Sequence, residues 1–258
     1  HLNPKLGKKV NHWMVQTLQS RIQNTLEKTL KLRQQLENIP DLSFENTQRK
    51  VELMKQIQVS TAKIKIVADL LVGAALQTAG QKGDAFETKL EELARSIEMA
   101  SEKDGQESPE SVISRVIPVQ TGIHNLSSEW QELNSTSRSL LCTEPASGQA
   151  RSPFHWAIEF PEVFMGRGRG EPGFDAIVGN PPFSGGQKIT GSLGKDYRDL
   201  LIDMLANGQK GSADLCAYFF LQADRLMTQN AHFGLIATNT IAQGDTREVG
   251  LDQLCSTG

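Results

Sequence analysis

Phe174-Asp175-Ala176-Ile177-Val178-Gly179-Asn180-Pro181-Pro182-Phe183 is the stretch that decides the fold of this chain. Phe174 to Gly179 reads as a buried β-strand, a short apolar and β-branched run closed by Gly and Pro. Two consecutive prolines cannot continue a ladder, because neither has an N–H and both hold φ near one value. The chain must therefore turn sharply at the carboxyl end of the strand, with a rigid backbone and an aromatic ring at the corner. In open α/β sheets that end is where ligands bind.

The corner has a definite chemistry. Asn180 offers a side-chain carbonyl acceptor, and Pro181 adds a backbone carbonyl with no N–H to compete with it. Two carbonyl acceptors side by side suit an –NH₂ group, which has two protons to donate. Accepting both leaves the nitrogen lone pair directed out of the ring plane, ready to attack an electrophilic methyl. Phe183 supplies a flat face for a planar base or amide, and Pro182 keeps the corner rigid, so the groups are placed in advance of the reaction. An ordinary turn uses the same residue types. The chemical reading gains from the strand before the corner, the aromatic after it and the elements downstream.

Downstream, Gly211-Ser212-Ala213-Asp214-Leu215-Cys216-Ala217-Tyr218-Phe219-Phe220 opens a helix, with Ser212 as a good N-cap and Asp214 favoured in the first turn by the helix dipole. The helix runs on through Leu221 and Leu226. After a turn at Asn230, His232-Phe233-Gly234-Leu235-Ile236-Ala237-Thr238 reads as a second strand. Strand, corner, helix and strand in that order predict an α/β fold.

The Asn-Pro-Pro-Phe tetrapeptide resembles the catalytic motif of amino-methyltransferases that use S-adenosylmethionine. The wider wording is more specific: Phe154-His155-Trp156-Ala157-Ile158-Glu159-Phe160-Pro161-Glu162-Val163-Phe164, then the strand and corner, then Gly185-Gly186-Gln187-Lys188-Ile189-Thr190-Gly191, then Ile236 to Glu248 with Gly244-Asp245-Thr246-Arg247-Glu248. Over residues 150–258 the chain is similar to the large bacterial adenine-specific DNA methylases of type IIG restriction–modification enzymes and related phage-defence systems. The resemblance implies a Rossmann-like methyltransferase sheet, represented here by its second half and preceded by an all-helical segment. It implies methyl transfer from S-adenosylmethionine to the exocyclic N6 of adenine in double-stranded DNA, with the adenine flipped out of the stack. Asn180 and the Pro181 carbonyl take the amine protons, Phe183 stacks on the base and Pro182 holds the corner. Asp214 and Leu215 line the cofactor side, and no metal is needed. The implied partners are DNA and the remainder of the parent methylase.

In that family a Gly-rich loop after the first strand, followed by an acidic residue on the ribose, binds the cofactor. No strand–Gly-x-Gly–helix element occurs in this sequence. Gly166-Arg167-Gly168-Arg169-Gly170 leads into a strand rather than a helix, so it reads as a flexible basic loop. Leu71-Val72-Gly73-Ala74-Ala75 sits inside a helical pattern and reads as a small-residue packing face. The cofactor loop is expected upstream of His1, and the chain alone is expected to be inactive. Its first residue, not Met, and its end at Cys255-Ser256-Thr257-Gly258 suggest an excised piece. Three other readings stand beside the DNA methylase: methylation of RNA or of protein glutamine by the same motif, a non-catalytic fragment whose helices bind a partner, and the nuclease half of a restriction enzyme. No acidic–acidic–Lys nuclease constellation supports the last.

The chain has 258 residues, 38% of them hydrophobic and 22% charged, with a net charge of −3, enough for one large domain or two smaller ones. The slight acidity does not advertise nucleic-acid binding. Local basic clusters partly compensate: Lys5, Lys8 and Lys9, then Arg151, Arg167, Arg169, Lys188, Lys195 and Arg198. The last of these flank the corner, where phosphates pass if a base enters, although a solvated loop accounts for them equally. Cys142, Cys216 and Cys255 match no zinc spacing or disulfide framework, which points to a reducing cytoplasm. No signal peptide or membrane-length apolar run is present.

Residues 8–37 carry Val10, Trp13, Met14, Leu18, Ile22, Leu26 and Leu30 at three- and four-residue steps, a long amphipathic helix stopped near Pro40. Residues 45–78 repeat the pattern, and Phe86, Leu90, Leu93 and Ile97 mark a third helix. Ser108-Pro109-Glu110 starts a short fourth, and Gly122 to Leu141 is helical in part. The predicted organisation is a helical bundle or hairpin over 1–141, a linker over 142–153 and the C-terminal part of a methyltransferase catalytic domain over 154–258. His12, His124 and His155 lack ligand spacing and are read as structural.

Overall fold

A computed structural model describes residues 19–40, 43–104, 126–142, 150–165, 171–209 and 211–257. Outside these lie the first turns of the helix expected from residue 8, the lysines at 5, 8 and 9, His12 and His124. The expected helix start at Ser108-Pro109-Glu110, most of the 142–153 linker and the Gly166–Gly170 loop lie outside them as well.

Four helices build the first layer: α1 (Gln19–Glu37), α2 (Phe44–Thr78), α3 (Ala85–Asp104) and α4 (Ser128–Leu141). Helix α2 begins where its sequence says it should, with the Ser43 hydroxyl accepting the Asn46 N–H at 3.1 Å. Its apolar face carries Ile66, Val67 and Leu70 into a core shared with Leu90, Leu93 and Ile97 of α3 and Trp130, Leu133 and Leu140 of α4. The small-residue face expected at Gly73 explains how closely α4 approaches. A Cβ added at Gly73 would lie 2.5 Å from the Leu140 Cβ, so only glycine admits this crossing.

The second layer is mixed. Two short turns, α5 (Trp156–Glu159) and α6 (Pro161–Phe164), precede β1 (Phe174–Gly179). Then come α7 (Gly186–Leu193), α8 (Lys195–Met204), α9 (Leu215–Leu226) and β2 (Met227–Leu235). A 3₁₀ turn (Asn239–Ala242), α10 (Gly244–Val249) and α11 (Leu251–Thr257) follow. Strands β1 and β2 pair in parallel, with Ile177 opposite Phe233 and Gly179 opposite Leu235. The fold is thus mixed α/β and mostly helical. Among the described residues the sheet is this one parallel pair, smaller than a Rossmann sheet.

Three local expectations need correction. Strand β1 is not buried: Val178 is 83% exposed, because among the described residues β1 pairs with β2 alone and α9 packs on β2. The turn expected at Asn230 is a register shift inside β2, between the pairs Phe174–Met227 and Ala176–His232, so the strand starts directly after α9. The cap of α9 is Asp214 rather than Ser212, since the carboxylate reaches the Cys216 N–H at 3.0 Å.

The amino end of β1 is anchored by aromatic rings. Phe174 meets Trp156 at 5.6 Å, Phe160 at 5.7 Å and Phe164 at 5.5 Å, all edge to face, the arrangement favoured by ring quadrupoles. Two ion pairs and a hydrogen bond tie the same turns to the helical layer: Arg33 to Glu162 at 2.9 Å, Lys65 to Glu159 at 2.6 Å, and His155 Nε2 with Asp69 Oδ1 at 2.7 Å. His155, isolated in the sequence, is held by Asp69 of α2. Just before β1, Gly173 has φ of 146°, and a Cβ there would fall 2.6 Å from the Met227 backbone carbon. Gly173→Ala is expected to cost about 1–3 kcal/mol through this clash and the strained φ, read as a lower urea midpoint at unchanged m-value. No helix among the described residues is long and apolar enough to cross a membrane.

Candidate active site

The Asn-Pro-Pro-Phe corner lies where the strand ends. Gly179 closes β1, and its carbonyl still accepts the Ile236 N–H at 3.0 Å, so the two strands stay in register up to the last residue before the corner. Asn180 is exposed, and its carboxamide makes no hydrogen bond among the described residues. Pro181 is buried beneath it, and Pro182 is exposed. Phe183 keeps 45% of its surface open, unusual for a phenyl ring with a core nearby. The corner therefore presents a free amide and a bare aromatic face from a backbone that cannot relax.

A clasp follows at once. Ser184 donates its N–H to Asp214 Oδ1 at 3.1 Å, and its carbonyl accepts the Leu215 N–H at 2.8 Å. Both residues expected on the cofactor side are thus already engaged with the corner. Asp214 divides one oxygen between Ser184 and Cys216, and the Leu215 side chain is buried in a core with Ile189, Leu201, Tyr218, Leu221 and Val249. Gly186 makes the close approach possible: a Cβ there would sit 2.7 Å from the Ser212 Cα.

The basic residues divide. Arg151 is spent inside the fold, paired to both oxygens of Asp196 at 2.9 Å and to the Leu193 carbonyl at 2.6 Å, so it does not flank an open groove. Arg198 donates to the Gly211 carbonyl at 3.1 Å. Lys188 and Lys195 are exposed, the latter 3.7 Å from Asp199. Half-buried Arg225 holds the end of α8, donating to the carbonyls of Met204 and Leu205, and its partial burial lowers its pKa. This last role is not legible in the sequence, because an arginine near a helix end is ordinary until its partners are known.

Cys216 lies in the first turn of α9. Burial, and then the hydrogen bond and negative charge of Asp214, push its thiol from the ordinary 9.0 up to about 12. The thiol therefore keeps its proton at neutral pH. Its contribution to stability is complete below pH 9 and is lost as pH climbs toward 12, where the unfolded chain ionises first. Iodoacetamide at pH 8 is expected to label the exposed Cys142 and Cys255 in the folded chain and to reach Cys216 only after denaturation, as read by mass spectrometry.

No curated protein and no solved structure matches the chain. Residues 50–254 match the family described as Eco57I restriction-modification methylase. That match runs from within α2 through the helical core, the strand, the corner and its clasp to α11. The chain belongs to the Eco57I restriction-modification methylase family.

Proposed function

We propose that this chain carries the methyl-acceptor half of an adenine-N6 DNA methyltransferase active site. One observation supports the reading above all others: at the carboxyl end of a parallel strand, a rigid double-proline corner presents the unpaired Asn180 amide beside the half-bare Phe183 ring. The Asn180 side-chain oxygen and the Pro181 carbonyl accept the two protons of the adenine amine. The amine's lone pair is thereby turned away from conjugation with the ring. Phe183 stacks on the base, which has left the duplex to reach the site. Exposed Lys188 and Lys195 meet the phosphates on either side, and Arg198 supports the wall through Gly211.

S-adenosylmethionine supplies, when bound, a sulfonium methyl whose leaving group is a neutral thioether. That methyl would pass to the amine nitrogen held by Asn180 and Pro181, and Asn180 would release one amine proton to solvent. Asp214 and Leu215 wall the cofactor side by shape, since their backbone and carboxylate are engaged with Ser184 and Cys216. The remainder of the parent methylase provides the Gly-rich cofactor loop and the rest of the sheet, covering the open face at Val178.

Incubation of the parent reading frame with methyl-labelled S-adenosylmethionine and duplex DNA, RNA or protein tests the proposal. Label recovered as N6-methyladenine is the expected result. Label on RNA or on glutamine, with none on DNA, overturns the DNA reading.

A further inference from the structure

We propose that Asp245 and Thr246, about sixty residues beyond the corner, are positioning residues that set where the Asn180–Phe183 corner stands. The inference rests on the reading of that corner as the amine-binding site and assigns the neighbouring Gly244-Asp245-Thr246 motif a part in it. Thr246 is buried, and its hydroxyl oxygen accepts the Asp214 N–H at 3.1 Å. Asp245 Oδ2 accepts the Ser212 N–H at 2.6 Å. The segment 211–214 is therefore held by two side chains of α10, while Arg198 holds the Gly211 carbonyl from α8.

That segment is what holds the corner. Asp214 and Leu215 take both backbone polar groups of Ser184, the residue directly after Phe183. The fit leaves no slack: a Cβ at Gly186 would collide with the Ser212 backbone at 2.7 Å, and one at Gly211 would press on the Asp245 Cβ at 3.0 Å. Gly250 closes the far end: its N–H donates to the Thr246 carbonyl, and a Cβ there would lie 3.1 Å from the Ala217 Cβ of α9. Alongside its packing on α9, α11 and the 3₁₀ turn, α10 thus has a hydrogen-bonded path through 211–214 to Ser184, the residue next to Phe183. Positional errors of about 1 Å at reacting groups cost about 10²-fold in rate, so such a brace has catalytic weight without touching substrate.

The test is hydrogen exchange on the full chain, followed by mass spectrometry of peptides covering 180–186 and 211–218. Thr246→Val removes the acceptor at constant shape, and Thr246→Ser restores it. Exchange at Ser184 and Asp214 is expected to quicken about tenfold in Thr246→Val, the worth of one hydrogen bond to a buried group, and to return in Thr246→Ser. Unchanged exchange in a folded Thr246→Val chain overturns the proposal. If that variant does not fold, exposed Asp245→Ala decides it: faster exchange at Ser212 and Ser184 supports the brace, and unchanged exchange at Ser184 overturns it. In the parent reading frame Thr246→Val is expected to lower kcat about 10- to 100-fold with little change in KM for DNA, and Thr246→Ser to rescue it. If the parent transfers no methyl to DNA while the exchange result holds, the amine-binding reading fails and the brace stands.

Discussion

Asn180→Ala in the parent reading frame is expected to lower methyl transfer to duplex DNA by about 10²–10³-fold, the usual consequence of removing one preorganised polar group from a reacting centre. The loss should fall on kcat. Phosphate contacts set most of the DNA affinity and do not involve Asn180, so KM for DNA should change little. Stability should not change either, since Asn180 is exposed and bonds to no described group. That separation makes the substitution informative: a folded, DNA-binding, catalytically dead variant isolates the amide as the group that prepares the amine. Asn180→Asp keeps an acceptor oxygen in place and should retain more activity than Ala. Phe183→Ala should act differently, raising the concentration of DNA needed, because the ring's share is to hold a base that prefers its stack. A rate for Asn180→Ala within threefold of the parent would remove the corner from the chemistry.

The corner and its flanking elements were legible in the sequence because local rules decide them. Two prolines end a strand wherever they stand, and β1 occupies Phe174–Gly179 as the apolar run required. Helix α2 matches its periodic pattern to within a residue, with Ser43 as its cap. What failed was whatever depends on remote partners. Ser212 is as good a cap as Asp214 by type. The choice between them was made by Ser184 and Cys216 competing for the same carboxylate, and by Asp245 taking the Ser212 N–H. The burial of β1 is not legible for a similar reason: apolar composition says that a strand seeks cover, not whether the neighbouring strands are present. Arg151, one of the basic residues that a phosphate contact or a solvated loop explains equally, instead pairs both arms of its guanidinium with Asp196. Asp245 and Thr246 stand in the Gly244–Glu248 stretch that carries the resemblance, but their bracing role is not legible there, since each acts on a backbone N–H that any residue could offer.

The helical layer and the corner share more than sequence order. Met204, the last residue of α8, belongs to the same buried cluster as Ile66, Leu93 and Leu133, and the Gly80 N–H reaches Asp203 of α8 at 2.9 Å. Arg225 then ties the end of α8 to α9, the helix whose first turn holds Ser184. Damage deep in the helical layer thus has a path to the site through packed helices.

Trp130→Ala is the sharpest way to use that path. The indole is 3% exposed at the centre of the cluster, with Lys63 Nζ 5.5 Å from its ring centre. Truncating it should cost about 3–5 kcal/mol, from lost transfer free energy and the cavity left behind. A domain of this kind has about 5–15 kcal/mol in total, so urea unfolding followed by circular dichroism should show a large fall in midpoint. Trp130→Phe should cost much less. It keeps most of the apolar volume and discards an indole N–H that finds no acceptor among the described residues. If both layers unfold as one unit, Trp130→Ala should also speed exchange at Ser184 by the same factor that it lowers global stability. A loss confined to α2–α4, with Ser184 still protected as in the parent chain, would mean that the helices brace only themselves and that the corner is held by Asp214, Asp245 and Thr246 alone.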